Sequence, residues 1–201
     1  MKAYLLSPLL VLSLAGCTLL GGGGGGDGTE DEGSSGGEEL DGGSTACVID
    51  KNWQLDIADM AAQLGENLSS NGLNVVSSTG AGEAGIYFDQ EGYAGSATSV
   101  AYTIVVDMGD GLVMTMVQHH DGSPGGNWAW DGDSDSTIVF DGWTGELVIT
   151  TDTSINGMAA PTSTTPMGTG LDGQAMRVSC DGDTLVTQSE GSPFTSTWHA
   201  N

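Results

Sequence analysis

Few side chains in this chain could catalyse a reaction or bind a metal ion. The histidines are His119, His120 and His199. Adjacent residues of a strand point to opposite faces of a sheet, so His119 and His120 are poorly placed to bind one ion together. We find no His-Glu-x-x-His motif, and no Gly-x-Ser-x-Gly elbow between a predicted strand and a helix. The sequence therefore predicts no catalytic residues, no metal site, no cofactor and a protein that is not an enzyme.

The stretch Asp131–Asp135 resembles the start of a calcium-binding loop, with oxygen ligands at alternate positions. The sixth position lacks the usual glycine, and Gly142 stands where a bidentate glutamate is expected. These departures favour a solvated hairpin turn as the interpretation of the stretch. Weak calcium binding at an acidic surface stays open.

A set of methionine and aromatic residues falls on apolar positions of predicted strands. Methionine adapts to irregular apolar pockets, and a small closed sheet can hold one ligand. Two hypotheses remain open: the residues line a pocket for a small apolar ligand, or they fill the core. The candidates are Tyr102, Met108, Met114, Met116, Trp128, Trp130 and Met176.

Composition limits the partners. The 201 residues carry 27 acidic and 3 basic side chains, a formal net charge of -24. Binding to nucleic acid needs Lys and Arg to neutralise phosphates, so a nucleic-acid partner is excluded. A basic patch that docks on anionic lipid is excluded for the same reason. Solubility at high salt, or capture of a cationic partner, would each account for the charge.

One helix precedes the strands that must position these residues. Asp56 is a suitable N-cap, and Asn71-Gly72 is a typical helix end. The apolar residues between them recur at helical spacing and predict an amphipathic helix. They are Ile57, Met60, Ala61, Leu64 and Leu68. A first strand, Val48 to Leu55, is predicted before the helix.

After the helix, the pattern changes to the period of two that is typical of strands. Apolar residues recur at every second position from Tyr102 to Met108 and from Leu112 to Met116. Asp-Gly pairs, which favour tight hairpin turns, recur at intervals of 10 to 11 residues from Asp110 to Gly142. We predict a mainly β domain of nine or ten antiparallel strands, closed into an up-and-down barrel that leaves no exposed edge.

The N-terminus resembles that of bacterial lipoproteins. Lys2 and a short apolar stretch lead to Leu14-Ala15-Gly16-Cys17, which resembles the lipobox of that family. The resemblance implies cleavage after residue 16 and lipid attachment at Cys17. An ordinary secretory signal is the alternative. Thr18 follows the cysteine in place of Asp, which favours the outer membrane or the cell surface over the inner membrane.

Residues 17–46 predict a disordered tether, because glycine and acidic residues cannot bury apolar area. An acidic binding tail is the alternative. The tether separates the signal peptide, 1–16, from one folded domain, 47–201. If Cys17 carries lipid, Cys47 and Cys180 remain, and an exported compartment favours a disulfide between them.

The end of the chain also shows a resemblance. The segment Met176–Leu185, with Phe194 and Trp198 after it, resembles the closing hairpin of small lipocalin-like bacterial lipoproteins. The stretch Asn127–Asp133 resembles a Gly-x-Trp-x-x-Asp-Gly-Asp repeat of the same group, and His199 departs from its more usual basic residue. The resemblance implies a small lipocalin-like barrel but no single function.

Together these observations predict a monomeric, lipid-anchored protein of the cell envelope. Its leading function is non-catalytic binding of a small apolar ligand inside the barrel. The alternative is a structural or adhesive envelope protein with a filled core, which interacts through its acidic surface.

Overall fold

The fold is described from a computed structural model, which covers residues 45–132, 134, 136–168 and 172–201. The signal peptide, Cys17 and the tether up to residue 44 lie outside the described residues. So do Asp133 and Asp135 of the calcium-like stretch.

Two helices and twelve strands make up the described chain. The helices are α1 (Thr45–Val48) and α2 (Ile57–Ser70). The strands are β1 (Asn52–Leu55), β2 (Asn74–Phe88), β3 (Tyr93–Gly109), β4 (Leu112–Gly122), β5 (Gly125–Trp130), β6 (Thr137–Thr144), β7 (Glu146–Ile155), β8 (Met158–Ala159), β9 (Ser163–Gly168), β10 (Ala175–Asp181), β11 (Thr184–Ser189) and β12 (Ser196–Ala200). The prediction of a mainly β, antiparallel fold is confirmed.

Eight of the strands are hydrogen-bonded into a closed ring. Its order is β2-β1-β12-β11-β10-β6-β5-β3, and β3 pairs with β2 to close it. The closed ring has no free edge, because every one of its strands is hydrogen-bonded to a neighbour on both sides.

Four strands lie outside the ring, which differs from the single closed sheet that was predicted. The second half of β3, from Thr98 to Gly109, leaves β5 and pairs with β4. β7 follows β4, and both β8 and β9 pair with β7. We call β4, β7, β8 and β9, with the parts of β2 and β3 beside them, the sheet extension. The cause is the length of β3, which has 17 residues. Only its first residues pair with β5 of the ring, so the later ones can pair with β4.

Helix α2 packs against the sheet extension. Asp56 caps it as predicted, since its carboxylate accepts a hydrogen bond from the Asp59 amide at 3.0 Å. Asn71 is its C-cap, and the apolar stripe of the helix is buried against β2 and β3. None of the helices in the described ranges is long and apolar enough to cross a membrane.

The first predicted strand is wrong at its N-terminal end. Residues Thr45–Val48 form a short helix, and the strand begins only at Asn52. Asp50 between them has a φ of 58°, which extended backbone does not permit.

Two of the predicted Asp-Gly turns lie inside strands. Asp110-Gly111 does form the β3–β4 turn, whereas Gly122 lies in β4 and Gly142 in β6. A Cβ at Gly122 would approach the carbonyl oxygen of Glu146 to 2.2 Å, so glycine there permits the close approach of β7. Gly142 has a φ of 59° and lies where the pairing of β5 with β6 shifts register, so its conformation serves a bulge.

The segment before β1 is fastened to the ring by several contacts. Cys47 is disulfide-bonded to Cys180 of β10, with Cα atoms 6.0 Å apart, which confirms that prediction. Val48 is fully buried in the ring, and its carbonyl accepts a hydrogen bond from the indole of Trp53 at 2.8 Å. The ammonium of Lys51 donates to the carbonyl of Gly182 at 2.5 Å.

Replacing both bonded cysteines, C47S/C180S, is expected to lower the free energy of unfolding by about 2–5 kcal/mol. The bond spans 133 residues of sequence, and its loss frees a long loop in the unfolded chain. Urea denaturation of the full chain measures the change.

Reductant provides the control for this prediction. It should bring the parent protein to the stability of the double variant and leave the variant itself unchanged. Equal unfolding midpoints for parent and variant without reductant would contradict the role of the bond.

Candidate functional site

Aromatic and aliphatic side chains fill the interior of the ring. Phe88 meets Trp128 edge-to-face at 5.4 Å, and Phe140 meets Trp143 in the same manner at 4.9 Å. Such contacts are typical of a packed core. The buried members, which we call the ring core, are Val48, Trp53, Phe88, Ala94, Trp128, Ile138, Phe140, Trp143, Val178 and Leu185.

The structure does not bring the seven predicted ligand-binding residues together. Trp128, Trp130 and Met176 belong to the ring core or pack against it. Tyr102 is buried under α2, and Met114 and Met116 pack against a neighbouring cluster of Leu68, Ile104 and Val106. Met108 is exposed at the end of β3. A single pocket lined by all seven is therefore not formed.

Two buried polar side chains lie on the same face as Tyr102, and sequence reasoning missed them. Gln118 and His120 on β4 are only 1% and 5% exposed. The amide nitrogen of Gln118 lies 3.5 Å from the hydroxyl oxygen of Thr151 on β7. Gln118 Oε1 and His120 Nε2 have no hydrogen-bond partner among the described residues. Buried polar atoms are normally paired, so these two atoms mark a place that a small hydrogen-bond donor would satisfy.

Burial controls the ionisation of His120 and of its neighbour Tyr102. Desolvation lowers the pKa of His120 to about 4, with His119 acting in the same direction and Asp121 against it. The Tyr102 ring meets the imidazole edge-to-face at 5.5 Å, and burial raises the pKa of its hydroxyl to about 12. Both groups are thus neutral at pH 7, which suits hydrogen bonding rather than charge pairing.

The alternation of β4 contains the signal that would have identified the pair. The period of two that puts Met114 and Met116 on one face of β4 puts Gln118 and His120 on the same face. Polar side chains at the buried positions of a strand are uncommon, so Gln118 and His120 stand out in this pattern.

A shallow surface depression of about 420 Å³ lies beside the start of α2. Its charged or titratable lining groups are Glu83 and His199, and His199 Nε2 lies 3.8 Å from a carboxylate oxygen of Asp56. Both partners of this contact are substantially exposed, so water screens the interaction. His199 and His120 lie on strands that do not pair, and the depression holds no buried acid or base.

Exposed apolar side chains concentrate at one end of the sheet extension, which we call the tip. The tip comprises residues 73–76, 108–113 and 155–158, which neighbouring strands bring to the same sheet end. Six of the seven large apolar side chains found exposed in the described chain lie there: Leu73, Val76, Met108, Leu112, Val113 and Met158. The seventh, Tyr93, lies at the other end of β3.

The described residues contain no group of three or more His, Cys, Asp or Glu side chains that could hold a metal ion. Comparison of the chain with protein-family models, with curated proteins and with solved structures found no match. The site must therefore be interpreted from its own chemistry.

We expect His120 to make stability depend on pH. The neutral imidazole is favoured in the fold, because its pKa falls from 6.5 to about 4. Its contribution is complete above pH 6.5, is lost as the pH falls toward 4, and then levels off. The full loss is at most about 3 kcal/mol. Urea unfolding from pH 7 to pH 4 measures it.

The matched variants are H120Q, which removes the buried imidazole, and H119Q, which removes its less buried neighbour. The fall in stability between pH 6.5 and 4 should be smaller in H120Q than in the parent protein. H119Q should retain the steeper fall. Parallel curves for the parent and H120Q would show that burial of His120 is not what makes the fold sensitive to acid.

Proposed function

We propose that this protein is a lipid-anchored protein of the cell envelope, and that its folded part is a non-catalytic module that interacts with other molecules through its surface. The filled ring core is the observation that carries the proposal. Because the ring is packed with its own buried side chains, we place the function on its exterior.

Sequence features and the disulfide support the placement in the envelope. Leu14-Ala15-Gly16-Cys17 resembles a lipobox, and the bond between Cys47 and Cys180 is typical of an oxidising compartment outside the cytoplasm. The membrane would be the partner of the lipid at Cys17.

We further propose that the ring is a lipocalin-like barrel. Eight strands closed by hydrogen bonds suit a small barrel whose interior side chains can fill. The segment that resembles the lipoprotein closing hairpin forms β10 and β11. These strands pair from Met176 opposite Ser189 to Asp181 opposite Thr184. β12 then returns beside β11 and β1.

Photo-crosslinking in isolated envelopes tests the surface role. The photoreactive residue p-benzoylphenylalanine replaces Leu112 in one variant of the full chain and Tyr93 in another. The two side chains are similarly exposed, at 44% and 48%. Tyr93 begins β3, whereas Leu112 begins β4 and pairs with Gly109 at the other end of β3. A covalent adduct to another macromolecule at either position is expected. Its absence at both positions would contradict the proposal.

The buried polar pair favours a second candidate, binding of a small apolar ligand that carries one hydrogen-bond donor. Gln118 Oε1 and His120 Nε2 would accept from such a donor. Apolar neighbours on the same face, including Tyr102 and Met116, would contact the rest of the ligand.

Native mass spectrometry of protein purified gently from the source envelope tests this candidate. A retained adduct is expected, and it should be weakened in Q118L, which removes the acceptor. Q90L, a change of an exposed glutamine, is the matched control and should retain the adduct. A bare mass after incubation with envelope lipid extract would eliminate the candidate.

A further inference from the structure

We propose that the tip is a docking surface for a protein partner whose contact patch has an apolar centre and basic side chains at its rim. This inference rests on the proposed function, because it names the surface through which the module acts and the chemistry of the partner.

Register shows that the apolar residues of the tip share one sheet end. Leu112 pairs with Gly109, next to Met108, and Val113 pairs with Asp107. Met158 pairs with Ile155, which itself pairs with Met114 of β4. Neighbouring strands are about 5 Å apart, so five strand ends span roughly 20 Å, the width of a small protein contact. Met158 is 75% exposed, and an apolar side chain so exposed does not stabilise the isolated protein.

Acidic residues border this apolar centre. Asp107 accepts hydrogen bonds from the Gly109 amide at 2.9 Å and from the side chain of Asn74 at 3.3 Å, so its carboxylate is held at the tip. Asp110 occupies the turn itself, with a φ of 53°. The sequence has no Lys or Arg between Lys51 and Arg177, so the sheet extension offers these carboxylates no basic neighbour.

Charge complementarity selects the partner. A second copy of this chain would place carboxylates against carboxylates, and an anionic membrane would do the same with its phosphates. A protein with a basic rim instead pairs with Asp107 and Asp110 while its centre buries the exposed methionine and aliphatic side chains. The apolar centre supplies affinity, and the rim sets orientation and salt dependence.

The variant with p-benzoylphenylalanine in place of Leu112 also tests this inference. Its crosslinking is compared with and without the D107N/D110N substitutions. Asparagine keeps the size of each side chain and tolerates the left-handed conformation at residue 110, so the fold should persist. The parent should give an adduct to a protein at Leu112 and none at Tyr93. Loss of the charges of Asp107 and Asp110 should lower the yield of the crosslinked adduct about fivefold, and 0.5 M salt should do the same.

Each other outcome has a defined meaning. A crosslinked dimer of this chain, an adduct to lipid, or a protein adduct insensitive to both salt and D107N/D110N would overturn the inference. An adduct at Tyr93 alone would overturn it while leaving the proposed surface function standing. No adduct at either position would overturn both.

The M108Q/M158Q variant tests the apolar centre separately. It keeps the charges and side-chain lengths but makes the exposed centre polar, and the adduct at Leu112 should fall. An unchanged yield would show that the apolar side chains do not contribute to docking, and that result would also overturn the inference.

Discussion

The shared strand β3 is the constraint on which the remaining structure depends. Its first residues complete the ring with β5, and its later residues leave the ring to pair with β4. β2 follows it along most of its length, from Asn74 to Phe88. Two packed regions, one inside the ring and one beneath α2, are therefore built on the same pair of strands, and neither can move far without the other.

This arrangement separates the packed core of the ring from the exposed apolar tip. The ring buries Trp53, Phe88, Trp128, Phe140 and Trp143, and the disulfide joins it to the segment before β1. The sheet extension is more open, and its last strands end in the exposed apolar tip. The buried polar pair lies on β4, where Gln118 is opposite Tyr102 and His120 is opposite Val100. A packed core and an exposed periphery suit a module that presents a surface from a rigid base.

Local features of the fold and the Cys47–Cys180 bond could be predicted from the sequence, whereas the strand order could not. Asp56 begins a helix because its side chain satisfies a free backbone amide, which is a local effect. The alternation of Tyr102 through Met108 reveals a strand for a similar reason. Gly142 shows the limit, because the same dipeptide serves a turn or a bulge according to which strand lies beside it. The same limit applies to the predicted ligand-binding residues. Periodicity places Met114 and Met116 on one face of a strand, but only the strand order separates them from Trp128.

The disulfide also determines how mechanical load would enter the fold. Any tension on the chain that precedes Cys47 passes directly into β10, which is held by β6 on one side and β11 on the other. The pull is then borne by several strands of the ring at once, and α1 cannot be peeled away first. A protein held by its N-terminus while its far end engages a partner would gain resistance to shear from this covalent crosslink.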